Sequence, residues 1–142
     1  MDNINIPIKL LHPDAKLPLR AKPYDAGSDL HAIEAAVLTP GERRLIKTGI
    51  AMEIPPGYYG RVAPRSGLSV KKGAMTLAGV VDSGYLGDVS VVLINLGQEP
   101  IEINVGDRIA QIIIESCAYP DWKIVDELSP SARGTEGWGS TG

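Results

Sequence analysis

A carboxylate and an aromatic ring, Asp82 and Tyr85, lie three residues apart in the polar loop Asp82-Ser83-Gly84-Tyr85-Leu86-Gly87-Asp88. Glycines there permit positive φ and close backbone approach, so the loop can wrap a small molecule and set an acid and a ring against it. An aspartate so placed suits a general base that orients and deprotonates a water. β-Branched arms flank the loop, Val80-Val81 before it and a run ending at Ile94 after it. The stretch from Gly79 to Asn95 therefore reads as a strand–loop–strand hairpin.

Four further stretches carry polar residues that a sheet core does not need. Ser66-Gly67, preceded by Arg65, can form a nest of backbone N–H groups for a phosphate, or a plain surface turn. Asp29, after Gly27-Ser28, can hold a hydrated Mg²⁺, which takes oxygen ligands and keeps most of its waters, or can simply cap a turn. Gln111 interrupts the apolar strand Ile109–Ile114, where its amide either reaches a phosphate oxygen or faces solvent. The glycine-rich tail places Arg133, Trp138, Ser140 and Thr141 on otherwise featureless chain. A tryptophan there suits a lid that stacks on a nucleobase, an interaction worth about 1–3 kcal/mol. A nucleotide is the ligand that uses all of these, with Asp82 as base.

The framework that must position these groups is a single domain of 142 residues. Charged residues make up 22% and hydrophobic ones 44%, as in a globular protein, but aromatics are only 5% and Phe is absent. Val and Ile must then fill the core, which favours sheet. Strands are expected over Ile4–Leu10 (at an edge, given Pro7), up to Ile33, Ala36–Leu38, Arg44–Lys47, Ile50–Ile54 and Tyr58–Ala63. More are expected over Met75–Val81 and in a pair formed by Ile101–Val105 and Arg108–Glu115, with a last strand at Ile124–Leu128. One helical turn is expected at Val70–Gly73. About ten short strands with turn residues between them predict an all-β jelly-roll-like sandwich or barrel over residues 1–128. From Ser129 only one large apolar side chain remains, so residues 129–142 read as a flexible arm.

The net charge of −3, with no long Lys/Arg run, argues against polymeric nucleic acid as partner. No signal layout and no long apolar stretch is present, so an intracellular, cytoplasmic protein without membrane contact is expected. The single cysteine, Cys117, excludes an internal disulfide and a multi-thiolate metal site.

Taken together, AGSDLHA, PRSGLS, GVVDSGYLGDVSVVLIN, GDRIAQIII and RGTEGWGSTG resemble, in order and spacing, the five motifs of the homotrimeric deoxyuridine triphosphate nucleotidohydrolases (dUTPases). The resemblance implies Mg²⁺-dependent hydrolysis of dUTP to dUMP and pyrophosphate, which keeps uracil out of DNA and supplies dUMP for dTMP synthesis. It implies that Asp82 activates a water for in-line attack on the α-phosphorus. Tyr85 would pack under the deoxyribose and exclude a 2′-hydroxyl, and backbone at Gly79 and Ser90 would bond uracil. Arg65, Ser66, Gly67 and Gln111 would meet the phosphates, and Asp29 the water shell of Mg²⁺. Arg133, Trp138, Gly139, Ser140 and Thr141 would close over the site of a neighbouring subunit in a homotrimer.

Two positions depart from the pattern: Trp138 stands where Phe is usual, and Thr76 where many relatives have Asn. The first preserves stacking, while the second leaves base recognition to the backbone. The alternatives are a dCTP deaminase, which needs a glutamate in the pocket, and a non-catalytic β-sandwich binding module.

Overall fold

The computed structural model describes residues 3–141; the outermost residues of the expected body and arm, Met1, Asp2 and Gly142, lie outside it. Among the described residues, eleven strands and one short helix follow one another. They are β1 (Ile8–Leu10), β2 (Ser28–His31), β3 (Ala36–Leu38), β4 (Arg43–Ile46), β5 (Ile50–Met52), β6 (Tyr58–Ala63), α1 (Ser66–Lys72), β7 (Ala74–Leu77), β8 (Val80–Val81), β9 (Val91–Asn95), β10 (Ile101–Ile103) and β11 (Arg108–Ser116). They make a jelly-roll-like sandwich rather than a closed barrel. One sheet runs β2-β11-β6-β8, another β4-β9-β7, and β1-β5 and β10-β3 complete the layers.

Alternation along the strands explains the layering. In β7 and β9 every second residue is buried, so each strand offers one face to the core. Leu30, Leu38, Ile46, Ile50, Val91, Leu93, Ile101 and Ile109 are almost wholly enclosed. Burying a side chain of that size contributes about 1.5–3 kcal/mol. An aliphatic core thus forms without a single Phe, as composition requires.

Pairing differs from what local signals suggest. None of these ladders joins strands adjacent in sequence. β10 and β11, expected as a pair, have separate partners: β10 lies on β3, and β11 lies between β2 and β6. The expected hairpin likewise opens, because β9 pairs with β7 and β4 while β8 crosses to β6. In a jelly roll, consecutive strands enter opposite layers, so a tight turn does not make a ladder.

Three boundaries also move. Only Ile8–Leu10 of the first expected strand is paired, and Ile124–Leu128 forms no strand and pairs with none of the described residues. The helical turn begins earlier, at Ser66, and ends on Gly73 in the left-handed conformation.

Candidate active site

The central loop is built from the end of β7. Leu77 faces Val92, and continuing that register by two residues sets Gly79 opposite Ser90, where the ladder opens. There the chain turns sharply, with positive φ at Ala78 (55°) and Gly79 (100°), and swings across to β6. The Gly79 carbonyl accepts a bond from Val62 N at 2.8 Å, and a Cβ on Gly79 would fall 2.7 Å from the Val62 oxygen. Only glycine meets both conditions. Thr76, just before, is buried and directs its hydroxyl to the same oxygen at 3.5 Å, so it faces inward.

Asp82 follows β8 and opens a turn closed by Tyr85 N on its carbonyl at 3.1 Å. Its carboxylate is exposed and, among the described residues, makes no hydrogen bond or ion pair. The Tyr85 hydroxyl donates to the Asp88 carbonyl at 2.8 Å. Ser90 sends its hydroxyl to the Asp88 carboxylate (2.7 Å) and its N–H to the Asp88 carbonyl (3.0 Å). Among the described residues, the Gly79 N–H and the Ser90 carbonyl have no hydrogen-bond partner at the mouth of the ladder.

The second group gathers on β2, β11 and the loop after β6. Gln111 stands opposite Asp29 on one side and Ala63 on the other, so Asp29 and Gln111 share a sheet face. Asp29, 17% exposed, accepts from Arg65 Nε at 2.9 Å and lies 3.9 Å from an Arg108 guanidinium nitrogen. Gln111 donates to the Pro64 carbonyl at 2.8 Å, and its side chain lies so close over Gly27 that any Cβ there would overlap it. Ser66 and Gly67 start α1 beside this group, both exposed.

His31, two residues beyond Asp29, is 9% exposed with an unpartnered Nδ1. Burial lowers its pKa, with Lys16 acting in the same direction, against the opposing pull of Asp29. The sequence reading missed this histidine and Asp88 alike. For His31 the available signal was its phase with Asp29 along β2.

The two groups do not meet within one chain. Val81 faces Gly60, which sets Asp82 near the start of β6, whereas Gln111 faces Ala63 at its end. At about 3.3 Å per residue, the four residues from Tyr59 to Ala63 put them about 13 Å apart along the strand. The tail reaches neither. Arg133 Nε bonds to the Glu136 carbonyl at 2.8 Å, and Ser140 N to the Gly137 carbonyl at 3.1 Å. Trp138 is fully exposed with φ of 49°.

Residues 13–142 match the family model described as dUTPase. The chain belongs to the dUTPase family. It is 47% identical to the Variola virus deoxyuridine 5'-triphosphate nucleotidohydrolase over 99% of this chain and 96% of that protein. It is 48% identical to the Anaeromyxobacter enzyme of the same name over 92% and 90%. The Staphylococcus bacteriophage 80alpha dUTPase, solved with dUPNHPP, superposes with a TM-score of 0.93 at 32% identity, covering 99% of both chains.

For a dUTPase-family enzyme, the fit to a metal can be judged from the donor set. Among the described residues no three His, Cys, Asp or Glu side chains cluster, so a direct protein cage is absent. A single carboxylate, Asp29, suits a cation that keeps its waters and takes its other oxygens from phosphates. Among the described residues, no helix is long and apolar enough to cross a membrane.

Proposed function

We propose that this chain hydrolyses dUTP to dUMP and pyrophosphate, with Asp82 directing a water in line at the α-phosphorus. The observation that carries the reading is the unpartnered, exposed Asp82 carboxylate beside a ladder mouth with one free donor and one free acceptor. The Gly79 N–H and Ser90 carbonyl suit the O4 and N3–H of uracil. Cytosine presents the opposite pattern and would leave both unpaired, a mismatch worth on the order of 10⁴–10⁵ in discrimination. Tyr85 lies three residues on, where its ring can floor the sugar and turn away a 2′-hydroxyl.

Because Asp82 and Gln111 stand apart in one chain, the site takes its phosphate half from a second copy. In that copy Arg65, Ser66, Gly67 and Gln111 hold the triphosphate. The arm from residue 129 closes from a neighbour, Trp138 stacking on the base and Arg133, Gly139, Ser140 and Thr141 gripping the phosphates; three copies make a homotrimer. Asp29 would hold Mg²⁺ through water. When bound, the cation offsets phosphate charge that a net-negative chain does not attract by itself. Phosphoryl transfer needs little covalent help, so positioning and charge neutralisation supply most of the catalysis.

The test is pyrophosphate release from dUTP set beside dTTP, dCTP and UTP. Release from dUTP alone supports the reading. Ammonia from dCTP, or binding of a dUTP analogue without turnover of dUTP, would replace it with a deaminase or a binding module.

A further inference from the structure

Asp88 takes no part in the chemistry above, yet it is the most heavily bonded side chain of the catalytic loop. Its carboxylate reaches across some forty residues of sequence to the turn between β4 and β5. One oxygen accepts from Gly49 N at 2.8 Å, and the other from Thr48 N at 3.3 Å and the Ser90 hydroxyl at 2.7 Å. Bonds to an ionised acceptor are the stronger kind and fix direction as well as distance.

The turn it grips is itself fixed. Thr48 is buried and donates its hydroxyl to the Val89 carbonyl at 2.6 Å, while Val89 N bonds to the Ile50 carbonyl at 2.8 Å. Leu11 N holds the Gly49 carbonyl at 2.7 Å. The loop is therefore fastened to the body of the sandwich at Asp88 and Val89, while among the described residues Ser83 to Gly87 make no hydrogen bond to that body.

Within that stretch lies Tyr85, 48% exposed, whose ring is held at its far end by the hydroxyl bond to the Asp88 carbonyl. Steric rejection of a 2′-hydroxyl works only if the ring does not yield. Here the ring is no firmer than the backbone of Asp88, which the carboxylate clamp holds together with the Val89 bonds and the Ser90 N–H on the Asp88 carbonyl. We infer that Asp88 is the positioning residue for sugar selectivity: by locking its own carbonyl against the Thr48-Gly49 turn, it holds the Tyr85 ring where a ribose does not fit. This rests on the proposed dUTP reading and adds a residue to it.

The test compares kcat/KM for dUTP and for UTP in the parent and three variants. Asp88→Ala removes the clamp and should lower the dUTP preference by roughly tenfold or more, chiefly through easier use of UTP. Asp88→Asn keeps an oxygen for Gly49 N and offers a donor to Ser90 while giving up the longer bond from Thr48 N, so it should regain part of the preference. Tyr85→Phe cuts the bond without touching the clamp and should lower the preference too, which keeps the test open if Asp88→Ala does not fold. A general loss of stability would slow both substrates alike and leave the ratio unchanged. An unchanged ratio in Asp88→Ala, or in Tyr85→Phe where only that variant folds, would overturn the inference. A parent that does not hydrolyse dUTP would instead overturn the reading beneath it.

Discussion

Replacing Gly27 with alanine isolates the job of Gln111 without touching it. A Cβ at residue 27 would overlap the Gln111 side-chain Oε1 and stand 2.7 Å from its Cδ and 3.0 Å from its Cγ. Backbone retreat is blocked on one side, because β11 is laddered to both β2 and β6 at this level. The amide must give way instead, and its 2.8 Å bond to the Pro64 carbonyl is lost. One such bond is worth about 0.5–1.5 kcal/mol, a drop of a few degrees in melting temperature (about 3 °C) for a chain of this size. The catalytic loss should be larger. A hydrogen bond to a charged phosphate contributes about 1.5–3 kcal/mol, so kcat/KM for dUTP should fall roughly 10- to 100-fold. The decisive assay is a double-mutant cycle with Gln111→Ala. With the amide gone, the methyl added at position 27 has room, and the double variant should match Gln111→Ala alone in both activity and melting. If the two losses simply add, Gly27 does not act through Gln111 and the reasoning is wrong.

Asp82→Asn should bind a non-hydrolysable dUTP analogue about as tightly as the parent while turnover falls by about 10²–10⁴; calorimetry beside single-turnover kinetics reads both, and undiminished turnover would remove Asp82 from the mechanism. Truncation before Arg133 takes away, among the described residues, no strand and no core residue, so melting should be unchanged while activity is nearly abolished; full activity would make the arm an ornament. His31, whose folded pKa lies below the usual 6.5, binds its proton more readily in the unfolded chain. Stability should therefore decline as pH falls below about 6.5 and level off beneath the folded pKa. His31→Gln should flatten that part of the curve; an identical slope in both proteins would assign it to other groups.

What the sequence reveals follows from what each feature depends on. Residues proposed to face phosphate, sugar and metal are recognisable because that chemistry demands their types, and the structure does bring Asp29, Arg65 and Gln111 into one cluster. Strand positions are legible where β-branched runs meet turn residues, as at Tyr58–Ala63 and Ala36–Leu38. Partners are not. The turn at Asn104–Asp107 tells where the chain reverses, but not that β10 stays in one layer while β11 enters another. Ile124–Leu128 has a strand's composition, yet no strand among the described residues pairs with it, and composition does not supply a partner. Asp88 looks like an ordinary turn aspartate beside Gly87, since the donors that define its role lie 39 and 40 residues away. The same limit applies to the proposed division of the site, because spacing along a sequence does not say which copy's residues will meet.

That division gives the most direct test of the account. Asp82→Asn chains with intact arms and chains truncated before Arg133 with intact Asp82 are purified, mixed, unfolded and refolded together, and assayed for pyrophosphate release from dUTP. Each protein alone should be nearly inactive. With random association, sites taking the loop from one kind and the arm from the other should recover about a quarter of parental activity. A mixture as inactive as its components would show that each chain completes its own site, and would contradict the shared pocket on which the account depends.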